Sequence, residues 1–279
     1  MSSAFRTILA VALAACAAVA LPGLAQQKDF QPQVGQAGKD VIWVPTPDEV
    51  VDRMLTMAQV KPGDFVVDLG AGDGKIAIAA AKKFGAKSMG IEYNPDMARY
   101  AQTNAERAGV QGKAEIRQGD IFATDFTQAN VVTMYLLPSL NMKLRPTLLA
   151  MRPGTRVVSH SFNMEDWLPD ETSTISGRQA FLWIVPATVN GKWSVELAGA
   201  GRADVTFDQH FQKIDGLVVL GPVQAGLEEP ILRGSFIHFA YIDSAGVRRV
   251  LNGKVDGARM EGAFIADNGT EGRWSATRR

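Results

Sequence analysis

The spacing of hydrophobic positions changes once along this chain. From residue 47 to about 153, short apolar runs alternate with segments in which apolar side chains recur every third or fourth position. This alternation predicts strands joined by helices, and therefore a parallel sheet covered by helices on both faces. From residue 199 onward, apolar and polar residues alternate without a helical period, which predicts antiparallel β-structure.

The first region is predicted to contain the following elements. Helices are expected over 47–58, 73–84, 95–108 and 140–151, and strands over 66–69, 87–92, 114–122, 131–138 and 154–160. Thr46 is expected to cap the first helix, and Asn94-Pro95 to begin the third. Two further apolar runs, 181–187 and 192–197, flank Asn190-Gly191, a strong hairpin signal. They predict an antiparallel hairpin that closes the parallel sheet.

The last part of the chain is punctuated by turn-forming pairs. These pairs are Asp215-Gly216, Asn252-Gly253, Asp256-Gly257 and Asn268-Gly269. They are expected to separate short strands such as 204–214 and 235–243, which predicts a small antiparallel barrel or sandwich. The predicted organisation is an N-terminal leader (1–25), a flexible linker (26–40), an α/β domain (41–198) and a β domain (199–279).

A glycine-rich turn follows the first predicted strand. The strand ends in Asp68, and Gly70, Gly72 and Gly74 then lead into the second helix. Glycines in such a turn let a ligand approach the bare backbone N–H groups at the helix end. Dinucleotide-binding loops use G-x-G-x-x-G to hold a pyrophosphate, whereas here Lys75 stands where the third glycine of that pattern would fall. The spacing therefore departs from the dinucleotide-binding pattern.

Acidic residues also end the next two predicted strands. Glu92 closes the second strand, where a carboxylate can accept hydrogen bonds from both hydroxyls of a ribose. Asp120 follows Gly119 at the end of the third strand, and the fourth strand leads into Tyr135. Because the carboxyl ends of parallel strands share one edge of the sheet, these side chains are expected to line one site.

Together these motifs resemble the class I S-adenosylmethionine (AdoMet) methyltransferases. Over residues 41–187 the chain is similar to bacterial relatives of the protein-lysine methyltransferases that modify mitochondrial inner-membrane proteins. The matching segments are 44–47, 68–76, 90–95, 119–122 and 135–138. The resemblance implies a Rossmann-like α/β domain with a mostly parallel seven-stranded sheet and a closing antiparallel hairpin. The small all-β C-terminal domain lies outside the resemblance.

The resemblance also implies that AdoMet is the cofactor and assigns roles to particular residues. Asp68 is expected to meet the methionine amino group, Glu92 the ribose and Asp120 the adenine amino group. The complete expected cofactor-binding set is Thr46, Asp68, Gly70, Gly72, Gly74, Glu92 and Asp120.

Two residues are candidates for catalysis. A lysine acceptor has to be deprotonated before it can attack, which a nearby acid, tyrosine or carbonyl can promote. Tyr135 is expected to line the acceptor pocket, with a buried core position as the alternative. His160, at the end of the fifth strand, is expected to act as a base or hydrogen-bonding group, with a structural role as the alternative. The scattered histidines show no metal-ligand spacing, so no metal site is predicted.

The N-terminus resembles a secretory signal peptide. Arg6 is its only charge, residues 8–21 are small and apolar, and a small-x-small pattern ends at Ala25, where cleavage is expected. An uncleaved anchor is an alternative, since 7–25 is long enough to span a bilayer. A lipoprotein acylated at Cys16, the single cysteine, is another. The sequence thus predicts an exported protein, periplasmic or secreted, with membrane association through an uncleaved or lipidated N-terminus as the alternative.

Two classes of function agree with these features. The first is an AdoMet-dependent methyltransferase that acts on a protein lysine amine, with a small molecule as the second choice of acceptor. The other is a non-catalytic AdoMet-fold scaffold that presents its β domain as a binding module in the cell envelope. The formal net charge is zero, so no nucleic-acid partner is expected.

Overall fold

The computed structural model describes residues 30–279. The predicted leader, its cleavage after Ala25 and the candidate acylation site Cys16 lie outside the described residues. Residues 30–190 contain the helices and the first seven strands. The elements are α1 Asp48–Met57, β1 Phe65–Leu69, α2 Lys75–Phe84, β2 Lys87–Glu92, α3 Pro95–Arg107, β3 Ala114–Gln118, β4 Val131–Met134, α4 Pro138–Leu149, β5 Arg156–His160, β6 Glu171–Ile175 and β7 Arg178–Ile184. No helix within residues 30–279 is both long enough and apolar enough to cross a membrane.

The seven strands form one sheet in the order β3-β2-β1-β4-β5-β7-β6. β1 to β5 run parallel, and β7 pairs antiparallel with both β5 and β6. Neighbouring residues of β1 point to opposite faces, as the alternation of a strand requires. Val66 packs in the core that contains Met54 of α1, whereas Val67 packs in the core that contains Leu144 of α4. The predicted Rossmann-like α/β fold is confirmed.

The predicted closing hairpin was assigned to the wrong pair of strands. The sheet is closed by β6 and β7, which turn at Ser176-Gly177. β6 escaped prediction because its sequence is polar and its residues are only partly buried or exposed. Asn190-Gly191 instead begins β8, whose first residue is Gly191. This strand belongs to the second sheet and pairs with β9 and β16. The chain therefore passes from one sheet to the other between Ile184 and Gly191, earlier than the predicted boundary near 199.

The second sheet is antiparallel and has nine strands. They are β8 Gly191–Leu197, β9 Gly201–His210, β10 Lys213–Leu220, β11 Val223–Gly226, β12 Glu228–Arg233, β13 Phe236–Ile242, β14 Arg248–Asp256, β15 Arg259–Ala266 and β16 Glu271–Arg278. Their order is β11-β10-β9-β8-β16-β15-β14-β13-β12. The sheet curls until Leu227 N donates a hydrogen bond to Gly216 O (3.1 Å). The inner face buries Trp193, Phe207 and Trp274. From here on, the name β domain refers to the residues of this second sheet, 191–279.

Only some of the predicted turns in the β domain are turns. Asp256-Gly257 and Asn268-Gly269 connect β14 to β15 and β15 to β16, as predicted. Asp215-Gly216 and Asn252-Gly253 instead lie inside β10 and β14. A Cβ on Gly216 would lie 2.1 Å from Thr206 O, so this glycine permits a close approach between strands rather than a turn. The predicted strand 204–214 is likewise interrupted by a turn at 211–212.

The predicted flexible linker is partly an ordered element. Residues 33–43, which we call the N-terminal hairpin, fold back on themselves. Gly35 N donates to Trp43 O, and Trp43 N donates to Gln36 O, both at 2.9 Å. Ala37 and Ile42 form an antiparallel bridge. Turn and periodicity signals did not indicate this hairpin, because it is short and is positioned by its contact with the α/β domain.

Candidate active site

A cavity of about 730 Å³ lies at the carboxyl edge of the parallel sheet, within the usual size range of small-molecule sites. Its wall is formed by the loops that follow β1 to β5, by the N-terminal hairpin and by the segment that joins this hairpin to α1. The predicted site residues in this wall are Thr46, Asp68, Gly70, Gly72, Glu92, Asp120 and Tyr135. Gly74 and His160 are not part of it. The structure thus brings seven of the nine predicted residues to one cavity.

The glycine-rich loop has a left-handed backbone at each of its three glycines. The φ angles are 77° at Gly70, 54° at Gly72 and 81° at Gly74, a region that other residues rarely occupy. A Cβ on Gly72 would lie 2.5 Å from Nε1 of Trp43. A Cβ on Gly74 would lie 3.1 Å from that of Ala101 in α3. Gly72 therefore shapes the cavity wall, whereas Gly74 allows α2 and α3 to pack closely.

Glu92 connects the loops after β1 and β2. Its Oε2 accepts a hydrogen bond from Gly72 N (2.9 Å), and its Oε1 accepts one from Asn94 N (2.9 Å). Asn94 in turn caps α3 by accepting from Asp96 N and Met97 N, as its predicted role as N-cap requires. Each oxygen of a carboxylate has a second lone pair. Glu92 can therefore hold both loops and still accept hydrogen bonds from a ribose.

Asp68 is a buried carboxylate at the end of β1, with 2% of its surface exposed. Its Oδ1 accepts a hydrogen bond from Thr133 Oγ1 (2.7 Å). Burial raises the pKa of Asp68 to about 7, the Thr133 hydroxyl opposes this rise, and the charges of Asp73 and Glu92 add to it. A buried carboxylate in this position is suited to bind a cation such as an ammonium group.

Asp120 already has a cationic partner. Its Oδ2 accepts a hydrogen bond from Nζ of Lys39 (2.7 Å), which also lies 4.8 Å from the centre of the Tyr93 ring. This hydrogen bond to Lys39 is the largest cause that lowers the pKa of Asp120. The N-terminal hairpin thus contributes Lys39 and Trp43 to the site, two residues that the sequence did not single out. The apolar stretch around Trp43 was the one signal that could have found them.

Tyr135, His160 and Thr46 form a contiguous group. The rings of Tyr135 and His160 lie 3.9 Å apart, and Phe162 stacks on Tyr135 at 6.2 Å. His160 is fully buried, and its Nδ1 shares a hydrogen bond of 3.1 Å with Oγ1 of Thr46. The prediction that Thr46 caps α1 is wrong, because that helix is preceded by Pro47 and has no side-chain cap.

The imidazole of His160 is neutral at ordinary pH. Burial is the main cause that lowers its pKa to about 4, and the charge of Arg178 adds to this effect. Its Nε2 has no hydrogen-bond partner in the described part of the chain. His160 lies behind Tyr135 and Thr46 rather than on the cavity wall, so its geometry suits support of these two side chains better than direct contact with a ligand.

The residues that line the cavity fit AdoMet. A deeply buried carboxylate, Asp68, is available for an ammonium group, and Glu92 for a ribose. No side chain projects from Gly70 or Gly72, so neighbouring groups can approach the loop backbone closely, as the indole of Trp43 does at Gly72. The ring of Trp43 adds an apolar surface next to the loop.

Comparison with known proteins agrees with this geometry. Residues 68–171 match the family model described as the ANTKMT methyltransferase domain. The chain is 49% identical over 133 residues to a protein-lysine N-methyltransferase of Saccharolobus islandicus, a match that covers 47% of this chain and 83% of that protein. It is 34% identical to the adenine nucleotide translocase lysine N-methyltransferase of Mus musculus over 43% of this chain and 52% of the relative. The chain thus spans about half the length of the mouse protein.

A solved structure is also similar to about half of the chain. It is a crystal structure of an RNA methyltransferase from Salinibacter ruber in complex with S-adenosyl-L-homocysteine. The identity is 50%, the TM-score is 0.51, and the match covers 52% of this chain and 96% of that one. The family match, residues 68–171, lies within the α/β domain.

Proposed function

This chain belongs to the class I AdoMet-dependent methyltransferases, related to the mitochondrial-type lysine N-methyltransferases, and we propose that it methylates the side-chain amine of a lysine in a protein. The observation that carries the proposal is the convergence of Asp68, Glu92 and Asp120 on one cavity beside a left-handed glycine loop. The lysine acceptor is supported by the activities for which the relatives from Saccharolobus islandicus and mouse are named.

Different residues of the cavity bind different parts of AdoMet. AdoMet supplies the methyl group from its sulfonium centre. Asp68 binds the ammonium group, and Glu92 binds the ribose while it fixes the loops on either side. Methyl transfer is a displacement between aligned partners, so positioning and exclusion of water supply most of the acceleration. The fold meets this need with side chains placed on strand ends rather than on long loops.

The acceptor amine has to lose its proton before transfer. The wall next to Tyr135 is largely apolar, since Leu136, Leu140 and Phe162 lie beside it. An apolar wall disfavours the charged form of an amine and so lowers its pKa. We assign Tyr135 to the acceptor side of the pocket as the group that contacts the amine. His160, buried and neutral, supports Tyr135 and Thr46 from behind.

Two alternatives are less well supported. A non-catalytic scaffold would not need donor-binding acids of this kind in the cavity. An RNA acceptor is suggested by the name of the Salinibacter ruber protein, but the formal net charge of zero gives little attraction for a phosphate backbone.

The test is methyl transfer from AdoMet with an isotopically labelled methyl group to a mixture of proteins and RNA from the native host. We expect label in protein, on lysine side chains identified by mass spectrometry, and much less label with Asp68→Asn at an AdoMet concentration near the wild-type dissociation constant. Label found only in RNA would refute the lysine acceptor. Failure of the purified protein to bind AdoMet in calorimetry would refute the function as a whole.

We also propose that the mature protein is exported. The single basic charge, the apolar run and the small residues before Ala25 support this proposal. Mass spectrometry of the protein from its native host should find Gln26 as the first residue. An intact N-terminus or a lipid on Cys16 would instead place the protein at a membrane.

A further inference from the structure

We propose that the β domain holds the acceptor side of the pocket in place through the turn between β9 and β10, with Gln212 and Phe211 as positioning residues. The inference rests on the proposed function, because it concerns the acceptor side of that same site. The part that it explains is the β domain, which lies outside the family match.

The element that is held is the loop between β5 and β6, residues 161–170, which we call the acceptor loop. It places Phe162 in the cavity wall, stacked on Tyr135. Two of its non-glycine residues have a left-handed backbone, with φ of 64° at Ser161 and 54° at Glu165. Such conformations persist only when the surroundings impose them. The acceptor loop therefore depends on contacts outside itself.

Helix α4 supplies one set of these contacts. The Nδ2 of Asn141 lies within hydrogen-bond distance of Phe162 O (3.2 Å) and Asn163 O (3.3 Å). Arg145 donates to Met164 O (3.2 Å). These contacts hold the first half of the acceptor loop.

The β domain holds the second half. Trp167 is fully buried, and its Nε1 donates to Oε1 of Gln212 (3.1 Å). In the other direction, Nε2 of Gln212 donates to Leu168 O (2.7 Å). The ring of Phe211 stacks on Trp167 with ring centres 5.9 Å apart. The guanidinium of Arg145 lies 5.5 Å from the centre of the Phe211 ring. One amide and one ring from the β domain thus fasten two successive residues of the acceptor loop.

The turn that carries Phe211 and Gln212 is a tight two-residue hairpin loop, because His210 pairs with Lys213 on either side of it. Phe211 itself has a left-handed backbone, with φ of 54°, which costs a non-glycine residue conformational energy. Its carbonyl accepts a hydrogen bond from Nε2 of Gln209 (2.7 Å). The donor-binding residues Asp68 and Glu92 lie at the ends of β1 and β2, outside the acceptor loop. Loosening the turn should therefore impair acceptor binding and leave AdoMet binding unchanged.

The test compares the full-length variants Gln212→Ala and Asn268→Ala. Asn268 is the matched control, since its amide also stabilises a β-domain turn, by accepting from Thr270 N (3.0 Å), but on an exposed hairpin. In Gln212→Ala, the amides of the acceptor loop should exchange hydrogen about tenfold faster than in wild type, because one buried and one partly buried hydrogen bond are lost. The control should exchange like wild type, and both variants should bind AdoMet like wild type in calorimetry.

Kinetics give a second measurement, with poly-L-lysine as the acceptor. Gln212→Ala should lower kcat/KM for poly-L-lysine about 10- to 100-fold, the scale of a small misplacement of a reacting group, while the KM for AdoMet is unchanged. Phe211→Leu, a milder change, should show the same pattern to a smaller degree.

Exchange of the acceptor loop at the rate of the control would overturn the proposal, whether or not poly-L-lysine is methylated. Equal loss of AdoMet and acceptor binding in Gln212→Ala would also overturn it, because the turn would then serve general stability. Wild-type protein that binds AdoMet but leaves poly-L-lysine unmethylated would instead count against the lysine acceptor alone.

Discussion

Replacing Asp68 by asparagine should stabilise the protein and weaken its binding of AdoMet. Folding raises the pKa of this carboxyl from 3.8 to about 7, mainly through burial. An acid whose pKa is raised by folding contributes most favourably to stability below its unfolded pKa, and that contribution is lost as the pH rises through the folded pKa. Asparagine has nothing to ionise, and its amide oxygen can still accept the hydrogen bond from Thr133.

The size of the effect follows from the pKa difference. At about 1.4 kcal/mol per pKa unit, the gain in the free energy of unfolding should be about 4 kcal/mol at pH 8 and about 1.5 kcal/mol at pH 5. His160 also changes its protonation in folding, but it does so in both proteins, so its effect cancels in the comparison. The loss of a hydrogen-bonded charge partner should weaken AdoMet binding about 10- to 100-fold.

The measurements are urea unfolding at both pH values, without AdoMet, and calorimetric titration with AdoMet at pH 8. Thr133→Val serves as the control, since it removes the donor that stabilises the charged form and should destabilise the protein more at pH 8 than at pH 5. The same stability change at both pH values for Asp68→Asn would refute the assigned pKa. Unchanged AdoMet affinity would refute the role of Asp68 in binding the ammonium.

Four further predictions concern the rest of the molecule. Glu92→Ala should weaken AdoMet by about 1.5–3 kcal/mol in calorimetry, the scale for hydrogen bonds to a charged acceptor; wild-type affinity would show that no ribose contact exists. Gly72→Val should abolish AdoMet binding, since its Cβ would lie 2.5 Å from Trp43 Nε1, and retained affinity would mean that the hairpin can move aside. Between pH 6.5 and 4, wild type should lose up to about 3 kcal/mol in free energy of unfolding that His160→Phe does not lose, because in wild type only the unfolded chain takes up a proton at this residue in that range. The same dependence of the unfolding free energy on pH in both proteins would contradict the lowered pKa. Residues 30–190 should bind AdoMet when expressed alone, whereas a fragment that ends at 198 should aggregate because β8 has lost its partners; the reverse solubility in gel filtration would restore the boundary near 199.

The sequence alone determined the α/β fold and most of the donor site. Asp68, Glu92 and Asp120 lie at or just after the ends of three strands, in a region where strands and helices alternate. Parallel strands place their carboxyl ends at one edge, so local order along the chain was enough to predict that these acids meet. The glycine spacing likewise needed only local conformation, since positive φ at Gly72 is a property of its own backbone.

Tertiary structure decided the features that depend on distant partners. A turn signal at Asn190-Gly191 fixes a change of direction but does not say which sheet the next strand joins, and β8 joins the sheet in which Trp193 can be buried. The low pKa of His160 comes mainly from its burial, which the residues next to it in sequence do not predict. The same holds for Gln212, whose amide meets Trp167 across 45 positions of the chain. Periodicity and turns are local and can be read in order, whereas the surface that finally buries a side chain is chosen by contacts between residues far apart in the sequence.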